Sequence, residues 1–538
     1  MTPAAAGLRL TWVQPEDLIG HELQQAVQDG RDPSGVRDRW LSAGGRLAPA
    51  RAGASPGPAD PALRALAESL LAELDAVPSP LADAEPTDLA AIHALAPAWG
   101  TAAGGGQGAA GRAPDTRGHP APDHPDPRKG APRRDAGSGA TGPPPAGGPA
   151  RVEQPPSDGD GPHREPDGTR RDAGNARSAL ATRLEAAWLG RAAGCLLGKP
   201  VEKLPLEGIR EIARGTGNWP LDGWFTQKGL DPGTAARHPW NRRSAGTSLA
   251  ENISGMPEDD DLNYPLLGLL LLEAHGHGFT TADVARLWLE ELPAGRTFTA
   301  ERVAYRNLLD GVEPPHTAAL RNPFREWIGA LIRADVHGLT HPGDPRAAAD
   351  QVWRDAVLTH TANGVYGAMF AAAMVAAAAG GDRDVHGCLA AGLAVVPSRS
   401  RLARAVRFGR DTARGERTRT AAGFADVVDT LHAAYGDHHW VHVLPNASLL
   451  AAALTHADGD FSGSITRVVS GGWDTDSNGA TAGSVAGLLA GSPAALPSRW
   501  TEPLRNRLAT TVGGLDGIGF DTLARRTAQV ALLPQEGT

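Results

Sequence analysis

The chain has 538 residues, 41% of them hydrophobic, and a formal net charge of -9. That length exceeds the usual single-domain size, so two or three domains are expected, and the acidic balance argues against stable nucleic-acid binding, which favours a basic face. Its two cysteines, Cys195 and Cys388, stand isolated in Ala/Gly-rich surroundings, which excludes a disulfide framework or thiolate metal site and reads as two small buried apolar positions.

Met1-Thr2-Pro3-Ala4 lacks the charged and apolar regions of a secretion signal. In the N-terminal hundred residues, apolar spacing predicts helices over Leu18–Asp29, Val36–Ala43 (closed by Gly44-Gly45), Pro61–Leu74 and Pro86–Leu95. Residues 1–98 read as a small helical region, either a module of its own or an arm on the main domain, with nothing at catalytic spacing. Between about Gly100 and Asn175 the composition shifts to Gly104-Gly105-Gly106, Pro143-Pro144-Pro145 and scattered charge. Such sequence cannot bury enough apolar surface to offset its ordering entropy, so residues 99–177 read as a disordered linker. His119, His124 and His163 lie there without ligand spacing.

Periodic sequence resumes with a strong helix over Ala179–Leu197, ended by Gly198-Lys199-Pro200. A dozen further helices follow, from Tyr264–His275 to Gly479–Ala490, with almost no strand-like alternation. The expected fold is all-α, its helices packed through small residues, in a domain over residues 178–535. The longest apolar stretch, Val365–Ala379, is mostly alanine and too short to span a bilayer. A monomeric cytoplasmic protein without membrane contact is expected.

Three segments carry candidate chemistry. In Pro257-Glu258-Asp259-Asp260-Asp261-Leu262-Asn263-Tyr264-Pro265, Pro265 should lie in a first helical turn, which starts the helix near Leu262–Tyr264 and leaves the acidic run in the preceding loop. One or two such carboxylates are explained by the helix dipole; four in succession need solvation or a cation. In Ser470-Gly471-Gly472-Trp473-Asp474-Thr475-Asp476-Ser477-Asn478-Gly479, an extended loop would aim Asp474 and Asp476 the same way, with the Ser477 hydroxyl adjacent. These oxygen donors suit hard cations, although Asp476 or Ser477 could equally be a helix cap. The helix that follows carries Gly479, Ala482, Gly483, Ala486 and Gly487, which allow close backbone approach. In Gly190–Glu202, a glycine-rich helix exit leads to Glu202; its Gly-Lys pair lacks the order and preceding strand of a phosphate loop.

In this order the three segments resemble the ADP-ribosylglycohydrolase family. Its G-x-x-x-G-x-P-x-E pattern is seen as Gly194–Glu202, its T-D-D-T segment near Asp259–Leu262, and its G-D-T-D-T-N-x-x-x-G motif near Trp473–Gly483. The resemblance implies an all-α fold with two Mg²⁺ or Mn²⁺ ions in a central cleft and an ADP-ribosylated substrate. It places Asp259, Asp260, Asp261, Asp474, Asp476 and Ser477 at the metals, with Glu202 and Asp261 catalytic and Glu202 serving as base or movable ligand. His360 matches the family's T-H region, and with Asn363, Gly364, Gly329 and Trp473 it would contact substrate. Asp259 replaces a threonine, Leu262 a hydroxyl and Trp473 a glycine, which marks a divergent branch. A non-catalytic nucleotide-binding module and a hydrolase of another N-ribosyl metabolite are the alternative readings.

Overall fold

The computed structural model describes residues 9–49, 53–100, 168–241 and 244–534. Among them it contains 22 α-helices and no β-strand, as the near absence of two-residue alternation predicts. Most of the stretch expected to be a linker lies outside the described residues. Its last ten do not: the helix expected from Ala179 already begins at Gly168 and runs to Gly198.

The centre of the fold is the Ala362–Gly380 helix, nearly every residue of which is buried. It is long and apolar enough to cross a membrane, but other helices of the fold enclose it. Its alanines and Gly367 leave room for neighbours, including the Gly329–Ile332, Asp335–Leu339, Pro345–Ala356 and Val443–Ala457 helices.

Residues 9–100 pack in one unit with the domain that follows residue 172. The Pro15–Gln28 and Pro61–Asp75 helices pair with each other and place Glu22 and Asp29 against Arg31 and Arg325 at 2.6–2.8 Å. Further on, Glu85 meets Arg401 at 2.7 Å, and Arg401 also holds Glu326 at 2.7 Å. Trp353 Nε1 donates to the Thr87 carbonyl at 2.8 Å. The described N-terminal region is thus fastened to the domain through buried ion pairs.

The contact that positions the site joins the Gly168–Gly198 and Thr475–Ala490 helices. A Cβ added to Gly190 would lie 2.1 Å from the Gly483 carbonyl oxygen; on Gly194, 1.8 Å from that of Gly479; on Gly198, 2.2 Å from that of Thr475. The reverse holds for Gly479, Gly483 and Gly487 against Gly194, Gly190 and Ala186. Residue numbers fall on one helix as they rise on the other, so the pair is antiparallel. It touches backbone to backbone at every fourth residue, where both helices present the same face.

Candidate metal centre

The glycine contacts bring the end of one helix to the start of the other. Gly198 abuts Thr475, whose Oγ1 donates to the Gly198 carbonyl at 2.8 Å. The next residue, Lys199, turns its ammonium onto Asp259 Oδ2. One short stretch of chain therefore connects the two aspartate segments, which lie more than 200 residues apart in sequence.

The first segment differs from expectation. The helix starts at Asp260, with Asp259 as its cap: Asp259 Oδ1 accepts the Asp261 N–H at 3.0 Å. Pro265 therefore lies in the helix interior, where it cannot donate to the Asp261 carbonyl. The Arg191 guanidinium compensates, donating to that carbonyl at 2.8 Å from Nε and 2.6 Å from Nη2, while its Nη1 holds Asp335 at 2.7 Å. A buried partner from another helix removed the main objection to an earlier helix start.

The second segment is helical rather than extended. Asp474 is the cap residue, although its side chain makes no capping bond, and Asp476 and Ser477 occupy the first turn. Convergence of the two carboxylates comes from the helix terminus, not from strand-like alternation. Asn446, which the sequence reading did not single out, pins this turn. Its Oδ1 accepts from the Asp474 N–H at 3.1 Å and from Asn478 Nδ2 at 2.6 Å, while its Nδ2 donates to the Trp440 and His442 carbonyls.

Glu202 completes the acidic group. Its Oε2 accepts from Asn241 Nδ2 at 2.7 Å and its Oε1 pairs with Lys203 at 2.7 Å. Cys195 proves to be a neighbour of the site: its sulfur lies 3.9 Å from Asp261 Oδ2, and ligand atoms of Cys195, Asp259 and Asp261 fall within 4.8 Å of one another. Burial, then the Asp259 and Asp261 charges, push its thiol well above the ordinary value, so it stays protonated and weakly donating.

The carboxylates perturb one another. Loss of water contact, then Asp259, raises Asp260 and Asp261 well above the usual carboxylate range; burial, then Glu202 and Asp474, does the same to Asp476. Burial pushes Asp474 up to about 7, with Glu202 adding to it. Asp259 alone is held low, since Lys199 outweighs its burial. Asp261 Oδ1 is buried without a hydrogen-bond partner, with the Arg191 guanidinium 3.8 Å away. A carboxylate oxygen without a hydrogen bond among mutually repelling carboxylates fits a bound cation, and carboxylate donors suit a hard divalent ion.

Of the remaining expected site residues, Trp473 adjoins the second aspartate segment and the others are buried in the domain. Trp473, at φ 55°, stacks on His432 with centroids 3.9 Å apart and planes 6° from parallel, so that ring face is occupied by packing. Asn363 is fully buried, donating to Glu85 at 2.7 Å and to Glu326 at 3.1 Å. Gly364 is pressed against the Arg325 carbonyl, and Gly329 against the Glu301 carboxylate. His360 is also fully buried, its Nδ1 at 2.7 Å from Thr359 Oγ1; burial, then Arg333, keeps it neutral far below its ordinary range. These four belong to buried networks around Arg333 and Arg401. The Arg333 network meets the Asp260–His275 helix at Tyr264, over whose ring Arg333 lies at 6.0 Å.

An all-α domain with a buried polyaspartate centre at two helix N-termini defines the class of protein. The ADP-ribosylglycohydrolase family model matches residues 176–535, and the chain belongs to that family. A search of curated proteins finds no match. Among solved structures, an ADP-ribosylglycohydrolase-related protein complex is 21% identical, covering 66% of this chain and all of its own, at a TM-score of 0.41.

Proposed function

We propose that the chain hydrolyses the glycosidic bond at the anomeric carbon of an ADP-ribose unit, releasing ADP-ribose from a modified protein, nucleic acid or small molecule, with Mg²⁺ or Mn²⁺ as cofactor. The observation that carries this reading is the cluster of buried, raised carboxylates, with Asp261 Oδ1 lacking a hydrogen bond, in a chain of this family. Asp260, Asp261, Asp474, Asp476 and the Ser477 hydroxyl would hold the metal, which when bound supplies Lewis acidity and orients ribose hydroxyls and water.

The chain's own residues do the rest. Glu202, half-buried and steered by Asn241 and Lys203, takes the proton of the attacking water. Asn446 and the glycine contacts hold the Asp474–Ser477 turn in place, and the stack on His432 fixes Trp473 just before it. Aspartates grouped at two helix starts suit a metal better than the pair of carboxylates flanking the bond in a metal-free glycosidase.

The test is a substrate panel of ADP-ribosylated protein, ADP-ribosylated nucleic acid and N-ribosyl metabolites, with Mg²⁺ or Mn²⁺ against chelator, reading released ADP-ribose by mass spectrometry. Metal-dependent release from an ADP-ribosylated substrate is expected. Binding without turnover, turnover indifferent to chelator, or turnover of other N-ribosides alone would overturn it.

A further inference from the structure

Resemblance to the family implies two ions, but the arrangement around Asp259 points elsewhere. Where the family has a neutral threonine this chain has Asp259, and both of its oxygens are already engaged. Oδ1 accepts the Asp261 N–H at 3.0 Å, and Oδ2 carries the Lys199 ammonium. Lys199 is only 7% exposed. It sits between Gly198, locked against the Thr475 backbone, and Pro200, whose ring fixes the following turn, so the side chain issues from a backbone with little freedom.

Resting on the metal-dependent reading above, we propose that Lys199 is a built-in cation standing in for one of the two ions, so that the site binds a single divalent ion, held by Asp260, Asp261, Asp474, Asp476 and the Ser477 hydroxyl. Three features support this. The ammonium satisfies the one aspartate of the group that keeps no free oxygen. Asp261 Oδ1 accepts no hydrogen bond, with Arg191 at 3.8 Å, so the lysine does not take it up. A fixed ammonium also repels a dication a few ångströms away and offers it no lone pair. The Asp259 and Lys199 charges cancel, so the pair changes the number of ions without changing the net charge of the site.

The experiment counts ions on the full chain. The protein is stripped with chelator, dialysed to equilibrium against Mn²⁺, and measured by elemental analysis and electron paramagnetic resonance. Wild type should hold one Mn²⁺ per chain and give the spectrum of an isolated ion. The Lys199→Met/Asp259→Thr double variant, checked for folding by circular dichroism, should hold two and show exchange coupling between them. Lys199→Met alone, which frees Asp259 Oδ2, should also gain an ion and serves if the double variant fails to fold. Two Mn²⁺ in wild type, or one in a folded variant at saturating Mn²⁺, would overturn the lysine's role and leave the hydrolysis reading intact. A wild-type chain that binds none would overturn both.

Discussion

Two of the groups of buried carboxylates among the described residues are treated in opposite ways. Glu22, Asp29, Glu85 and Glu326, where the N-terminal arm meets the domain, each face an arginine: Arg31, Arg325 or Arg401 at 2.6–2.8 Å. Despite its burial, Glu326 is held below its ordinary range by Arg401. At the candidate metal centre Asp259 has Lys199 and Glu202 has Lys203, and Asp261 has only a longer contact to Arg191 at 3.8 Å, while Asp260, Asp261, Asp474 and Asp476 are all raised. Ionised groups removed from water must be compensated. Where the chain supplies the compensation, the group is a fastening; where it does not, the proposed metal ion would supply it.

The contrast can be broken at several points. The largest effect is expected at Arg401→Ala, which leaves Glu85 and Glu326 buried and unpaired: about 3–5 kcal/mol of stability should be lost in urea unfolding. A loss below about 1 kcal/mol would show that the arm is not fastened this way. Asp474→Asn should do the reverse, lowering ADP-ribose release at least about 100-fold, since a metal ion's share of transition-state stabilisation is several kcal/mol. Its metal-free fold should be no less stable than wild type. Unchanged turnover and ion content would remove Asp474 from the centre.

Gly194→Ala tests the frame rather than the charges. Its methyl would fall 1.8 Å from the Gly479 carbonyl oxygen, and overpacking of this kind costs about 1–3 kcal/mol. Ion affinity should fall with it, because the helix start carrying Asp474 is displaced; a variant with both unchanged would show that the helix pair can part freely. The last prediction is a sign rather than a size. Asp474 is raised from 3.8 to about 7 in the fold, so the unfolded chain releases its proton first. In the metal-free protein this stabilisation is complete below about pH 4 and is lost as pH rises towards 7. The melting temperature of Asp474→Asn minus that of wild type, both metal-free, should therefore grow from pH 4 to pH 8. A flat difference would mean the group is already compensated.

Local pattern carried a large part of this into the sequence. Helix positions followed from three-to-four spacing, and Gly479, Gly483 and Gly487 advertised a close helix contact before its partner was known. The acidic runs could be read because carboxylates at such density have few structural explanations. Other features have no local signature. The pairing of Glu85 with Arg401 or Asn363 spans more than 270 residues, so Asn363 and its neighbours kept a family role that their burial does not suit. The start of the Asp260 helix was misplaced because the rule about Pro265 holds only where no distant group replaces the missing donor, and Arg191 does so. Cys195 was read correctly as buried, but its nearness to Asp261 is a property of helix packing.

The glycine contact between the two long helices also bears on which ion the site can take. A metal site on mobile loops adapts its size to its guest, whereas helices locked carbonyl to Cα at every fourth residue cannot breathe without separating along their whole interface. Mg²⁺ sits about 2.0–2.1 Å from its oxygens and Ca²⁺ about 2.3–2.6 Å. A few tenths of an ångström is a small change for a loop and a large one for this frame, so on the proposed metal-dependent reading the glycines would act as a gauge of ionic radius, set in the backbone rather than in the ligands.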